Sequence, residues 1–299
     1  MNTKIFASFL ILILILVIPS TSAQEINIAA KAGQKSVEVT IGDDGDIHVK
    51  HVVSYSNSPK QMDLIDGTIQ NLTITDEEGE EQVLTIIGEN DAVMISPSRT
   101  DSIIEYDLED VMFIKDDYWT LDFLYLETTT FLISKKVDLI FVNGMPVEMN
   151  DKKGFACHGC QMILEYSLNE PKVLKNVKWE DKEFIVVIKT HAEINGINFE
   201  QSTKSIALDV LEENKFVTII IPLELLWEPY TVFLEDEKIK VHKYMNNGTH
   251  VWLNMRPETS GEIVIIGTTV VPEFPIIAPL AIGFLMILVV PLIQKFNLR

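Results

Sequence analysis

Across residues 24–270 no long stretch keeps the apolar period of a helix. Short runs rich in Val, Ile, Thr, Tyr and Phe recur instead, broken by turn residues. Residues 36–41 alternate, Asp43-Asp44-Gly45-Asp46 follows, and residues 47–55 alternate again, which predicts a hairpin about an Asp-Gly turn. Residues 70–75 and 83–87 flank an acidic loop and predict a second hairpin. Residues 118–126 and 137–142 are further strand candidates. Beyond Pro171, strand-like runs recur about every ten residues, at 184–188, 205–210, 216–221, 230–234, 239–242, 250–254 and 262–266. Seven such runs predict a sandwich, with a short helical connection at 222–227. The expected fold is mainly β: two β-sandwich-like domains in tandem, residues 24–170 and 171–269, meeting near Asn169-Glu170-Pro171.

Two apolar segments flank this β region. Residues 5–18 follow a single Lys4 and lead into Pro19 and the small residues Thr21 and Ala23. That run is shorter than the roughly 20 residues a spanning helix needs, so residues 1–23 read as a signal peptide cut between Ala23 and Gln24. Residues 276–293 carry no charge. At about 1.5 Å per residue they come close to crossing a bilayer. Pro279, Gly283 and Pro291 are tolerated in a membrane helix, and Lys295 and Arg299 suit the cytoplasmic face. This predicts an extracellular ectodomain, a stalk at 270–275, one transmembrane helix and a cytoplasmic tail at 294–299. The competing reading is a buried core helix, against which the long, uncharged, unpatterned run argues, and a third is a tail removed as in lipid-anchored surface proteins.

The chain has 24 basic and 44 acidic residues. Setting aside Lys4, Lys295, Arg299 and Glu273, the exported part is near −22. Such a surface repels nucleic acid and anionic lipid. Its carboxylates are scattered, as on any solvated surface.

The residues from Val217 to Leu226, then Pro229-Tyr230-Thr231-Val232, Asn247-Gly248-Thr249-His250, and the run from Glu262 through Pro272-Glu273-Phe274-Pro275 carry a resemblance. They resemble archaeal cell-surface proteins with a C-terminal β-sandwich module and a Pro-Glu-Phe membrane tail. The likeness covers about two fifths of the chain, from Asn176 to Arg299. It implies a compartment and an architecture, and no activity. Some such tails carry Gly after Phe; here Pro275 stands there, so the resemblance implies anchoring by an intact helix rather than sortase-like cleavage.

The compact chemical motif is Cys157-His158-Gly159-Cys160, which holds both cysteines of the chain. Outside the cell such a pair reads first as a disulfide. A thiol-redox role wants the first cysteine at a helix N-terminus, yet the residues after Cys160 look strand-like. A copper site would add His158 and Met162 to Cys157 and Cys160, with Met145 and Met149 just upstream. His48 and His51 fall on opposite faces of one predicted strand, and His191, His242 and His250 are isolated. Asp43, Asp44 and Asp46 lack the spacing of a calcium loop. Asp116-Asp117-Tyr118-Trp119 suits either a turn or a sugar contact. Asn71-Leu72-Thr73 and Asn247-Gly248-Thr249 are glycosylation sequons. No catalytic residue set stands out, and no phosphate loop, dinucleotide fingerprint or nucleophile elbow is present.

The expected role is a non-catalytic structural or binding protein of the cell envelope. Its partners would be the membrane, other envelope proteins or glycans, with no nucleic acid and no cofactor. The alternatives are an envelope copper or thiol-redox protein using Cys157, His158 and Cys160, and an anchored hydrolase with an unrecognised site.

Overall fold

The computed structural model describes residues 30–268, apart from Asp151 and Glu180. The signal segment with Ala23 and Gln24, the stalk, the C-terminal apolar run and the tail lie outside the described residues. Among the described residues, no helix is long and apolar enough to cross a membrane. They form strands and turns without a helix.

The chain divides into two compact units. The smaller runs up to Lys35 and takes in Val52–Leu64 and Thr73–Ile104. Its four-stranded sheet has the order Ala30–Lys31, Lys60–Asp63, Ala92–Ile95, Thr85–Ile87. Lys35 pairs with the buried Asp101, which also accepts the Tyr55 N–H. Lys35 holds the Asp101 carboxyl below its usual range. The acidic turn at 76–81 forms here: Asp76 Oδ1 accepts the N–H groups of Glu78 and Glu80, both at 2.9 Å. The hairpin predicted around it does not continue. After the Thr75–Glu81 bridge, Thr85–Ile87 leaves to pair with Ala92–Ile95.

The larger unit takes Ser36–His51, Ile65–Leu72 and the chain from Glu105 onward. Asp43-Asp44-Gly45-Asp46 makes the predicted hairpin, closed by Gly42 N–H on Asp46 O at 2.8 Å. Gly45 takes φ +81° with the Trp119 ring directly beneath it. Five strands form one sheet in the order Met145–Glu148, Leu139–Val142, Cys160–Tyr166, Tyr118–Tyr125, Met112–Lys115. Phe123 of that sheet meets Phe131 edge to face at 4.8 Å. Phe131 belongs to the six-stranded sheet that also holds Gly154–Cys157.

Beyond Lys172 there are two five-stranded sheets. One runs Lys172–Trp179, Lys182–Thr190, Val217–Pro222, His250–Met255, His242–Asn246. The other runs Ile194–Glu200, Ser205–Val210, Gly261–Thr268, Trp227–Leu234, Glu237–Ile239. Alternation places Val186, Ile188, Ile219, Ile221, Val251 and Leu253 of the first against Ile206, Leu208, Val232, Ile263 and Ile265 of the second, in one apolar core. The helical connection expected at 222–227 is a single turn, with the N–H groups of Leu225 and Leu226 both on Pro222 O. Leu223, Leu225 and Leu226 are all buried. Their apolar pull into the core is satisfied by one tight turn before Trp227 starts the next strand.

Candidate binding site

The cysteine motif sits where a two-stranded ribbon bends between sheets. In one sheet Tyr125 lies opposite Cys160; in the next, Thr129 lies opposite Cys157. Leu126, Glu127 and Thr128 on one strand, and His158 and Gly159 on the other, make the bend. Cys157 and Cys160 are joined by a disulfide across it. Gly159 has φ +56°, a conformation that favours glycine. The exposed His158 shares a hydrogen bond with Thr128 Oγ1 at 2.8 Å.

This geometry separates the proposed soft ligands. Both sulfurs are bonded to each other, Met162 is buried on the core face opposite Phe123, and His158 faces Thr128. Met149 is buried and Met145 exposed. No helix starts at the pair, so no macrodipole lowers a thiol pKa there. The closed ring spans only four residues, and chain-entropy reasoning for so small a loop gives about 2 kcal/mol. Replacing both cysteines by serine is therefore expected to lower stability by about that much while keeping the fold. Urea midpoints of the two proteins check this, and a variant that no longer folds would contradict it.

The remaining sequence candidates are placed individually. His48 is exposed and bonded to Asp107, whereas His51 is buried. Asp43 is paired with Lys136 at the hairpin turn around Gly45. Ser167 Oγ lies 2.7 Å from His191 Nε2, and burial lowers the His191 pKa, so that imidazole is neutral. Asp117, however, gives its carboxylate to Lys215 at 2.6 Å instead of orienting His191. Glu170 accepts the Tyr118 hydroxyl at 3.0 Å, and burial raises its carboxyl pKa.

A larger cavity of about 610 Å³ opens nearby. Two tight hairpin turns contribute to it. Asp116-Asp117 joins Met112–Lys115 to Tyr118–Tyr125, and Asn143-Gly144 joins Leu139–Val142 to Met145–Glu148. All four turn residues have positive φ, as the primed turns that fit strand twist require. Lys115, Asp116, Asn143 and Gly144 are thereby brought to a wall shared with Lys240, His242, Asn254 and Arg256.

Arg256 is the fixed point of this wall. Its guanidinium lies 4.5 Å over the Phe216 ring, donates to both Glu165 oxygens at 3.1 and 3.2 Å, and donates through Nε to Asn214 O at 2.7 Å. Phe216 stacks on Phe141 at 3.5 Å, and Tyr118 meets both edge-on. Lys215 ties Asp117 to Glu212 beside them. Glu165 is almost fully buried. Removing Arg256 would strand its charge, so Arg256→Ala is expected to cost roughly 3–5 kcal/mol. A urea midpoint within experimental error of wild type would refute that reading.

Most of this cavity was not foreseen. Asp116-Asp117, read as a turn or a sugar contact, is the one part singled out in the sequence, and the Asn143-Gly144 dipeptide is a hairpin signal that could have added the second turn. Lys115, Lys240 and Arg256 come from distant parts of the chain and share no spacing.

No family model matches the chain, and no curated protein matches it. Among solved structures, it is similar to an aminopeptidase N family protein from Idiomarina loihiensis. That match has 9% identity, a TM-score of 0.35, and covers 51% of this chain and 32% of the other. The chain thus spans about a third of that protein, and the match carries no functional argument.

Proposed function

We propose that this chain is an exported, single-pass membrane protein of the cell envelope with a non-catalytic structural or binding role. Its two β-sandwich-like domains, residues 24–170 and 171–269, stand outside the membrane on the stalk at 270–275. Residues 276–293 anchor them, and the tail at 294–299 lies in the cytoplasm. The observation that carries this reading is the Cys157–Cys160 disulfide, because such bonds form and persist in oxidising compartments outside the cytosol. The apolar segments at the two ends and the resemblance to archaeal surface proteins with Pro-Glu-Phe tails agree with it. Other envelope proteins or glycans are the partners this role implies.

The test is the native intact mass of the protein extracted from its own membranes. The expected mass begins at Gln24 and is lighter by two hydrogens. A chain retaining Met1, or recovered from the soluble fraction, overturns the reading. Two free thiols, or a stoichiometric copper ion, would bring forward the copper or thiol-redox alternative.

Peptide mapping of the same preparation distinguishes the two sequons. Asn71 donates its amide nitrogen, the atom that would carry a glycan, to Asp107 at 2.8 Å. Asn247 sits in an exposed turn and uses only its oxygen, which accepts from Thr249 N, Thr249 Oγ1 and His250 N. A glycan is therefore expected on Asn247 and not on Asn71. Peptide mapping that finds the glycan on Asn71 would reverse this.

A further inference from the structure

We propose, building on the binding role above, that the strand edge at residues 122–124 docks an extended segment of a partner protein. The segment adds antiparallel to this edge and places one apolar side chain in the cleft beside it.

The hydrogen bonds of the neighbouring strand define the edge. Asn143 N–H donates to Ile163 O and Ile163 N–H donates to Asn143 Oδ1, both at 2.9 Å. Both backbone groups of Ile163 therefore point away from Tyr118–Tyr125. Ile163 lies opposite Asp122 across that ladder, so the two form a non-hydrogen-bonded pair. The N–H and C=O of Asp122 then point to the other edge of their strand, and the alternation sends those of Leu124 the same way. On that side Met112–Lys115 pairs only as far as Leu121. Asp110 has φ +59°, so the chain enters Met112 from a turn and does not run on beside residues 122–124. These four backbone groups have no backbone partner among the described residues.

The same stretch borders an apolar cleft. Its volume of about 280 Å³ lies just below the range of about 300–1,000 Å³ usual for small-molecule sites, and suits a side chain. The buried Leu108, Leu121 and Phe123 line it, with the half-buried Val111 and the exposed Leu124. Asp66 and Asp122 are its charged residues, and no basic side chain among the described residues lines it.

Edge and cleft together select the occupant. An added antiparallel strand exchanges both hydrogen bonds with Asp122 and both with Leu124. Its residue opposite Phe123 shares the inner face and enters the cleft. Its residue opposite Asp122 meets that carboxylate, for which a lysine is complementary. Its residue opposite Leu124 covers an exposed leucine and is apolar. Read in antiparallel order, the segment is apolar, apolar, basic.

Fluorescence anisotropy of the peptide Thr-Val-Leu-Lys-Thr, dye-labelled at its N-terminus, tests this with the full chain in detergent. Saturable binding is expected. N-methylation of the Val and Lys removes the donors to the edge and is expected to weaken binding tenfold or more. N-methylation of the Leu, whose N–H faces away from the edge, is expected to leave it unchanged. Asp122→Lys, at an exposed side chain, is expected to weaken binding tenfold or more and to restore it for the peptide with Glu in place of Lys. The proposal is overturned by no saturable binding, by equal binding of the doubly N-methylated peptide, or by unchanged binding to Asp122→Lys. A dimer seen in sedimentation and broken by the peptide would also overturn it, by making a second copy the occupant. Each outcome is read on the purified chain, so none depends on whether it is exported, which the intact mass decides separately.

Discussion

Gly154→Ala is expected to destabilise the protein by about 3 kcal/mol or more. Gly154 pairs with Leu132 across the antiparallel ribbon. A Cβ there would fall inside the van der Waals envelope of the Phe131 carbonyl oxygen, 3.0 Å from its carbonyl carbon and 3.1 Å from Leu132 Cδ2. A flexible side chain could swing aside, but a ladder carbonyl cannot. The strand Gly154–Cys157 must peel away from Thr129–Ile133, losing hydrogen bonds and disturbing the stack of Phe155 on Phe131 at 5.0 Å. Gly33→Ala is the control, since its Cβ would meet only Ser54 Oγ at 3.9 Å, and it should change stability by less than about 0.5 kcal/mol. Urea unfolding followed by tryptophan fluorescence compares the two. Equal midpoints would show that the ribbon tolerates the added carbon.

The second large effect is a loss of stability in mild acid caused by His51. This imidazole is fully buried in its strand, stacked 5.6 Å from Tyr106 and edge-on to Tyr125. Tyr106 Oη accepts the Ile65 N–H at 2.9 Å and lies 2.9 Å from His51 Nε2. A neutral imidazole satisfies this bond, with Nε2 accepting from the phenol or donating to it according to the tautomer. Burial pushes the His51 pKa down to about 3. The unfolded chain takes up the proton near pH 6.5 and the folded chain only near 3, so unfolding binds a proton throughout that window. Stability attributable to this group is intact above about pH 6.5, falls as pH drops through the window, and levels off below about 3. At pH 5 the loss is about 2 kcal/mol, taking 1.36 kcal/mol per pH unit. His51→Gln removes the titrating group. The wild type should lose about 2 kcal/mol more than this variant between pH 7 and pH 5. Parallel curves for the two proteins would mean that His51 is protonated in the fold.

Strand alternation made much of the β architecture legible. It placed His48 and His51 on opposite faces, and it located most of the strands after Pro171 to within a few residues, with 239–242 straddling Glu237–Ile239 and His242–Asn246. Where it failed, the pattern itself was broken. Lys172–Trp179 is an edge strand exposed along most of its length, so its Val173 and Leu174 carry no inward rhythm. Ile194–Glu200 is interrupted at Gly196, where the register with Ser205–Val210 shifts. Ser102–Glu109 alternates cleanly, with Ile104, Tyr106 and Leu108 buried, and could have been read from the start. The cavity was a different matter. Lys115, Asn143, Lys240 and Arg256 meet through strand pairing across long separations, and single-sequence patterns carry no trace of such meetings. The Arg256–Glu165 pair was invisible for the same reason, since 91 residues lie between its partners.

The four-residue disulfide also has a mechanical meaning if the chain is pulled along its length. Under tension it hides only His158 and Gly159 from the loaded path. Breaking the bond lets the 5.6 Å between the two Cα atoms extend to three steps of roughly 3.5 Å, a release of about 5 Å. It is a local rivet at a fold in the ribbon and a poor strain limiter. Resistance to extension must come from the strand ladders on either side, which yield only when their hydrogen bonds shear together.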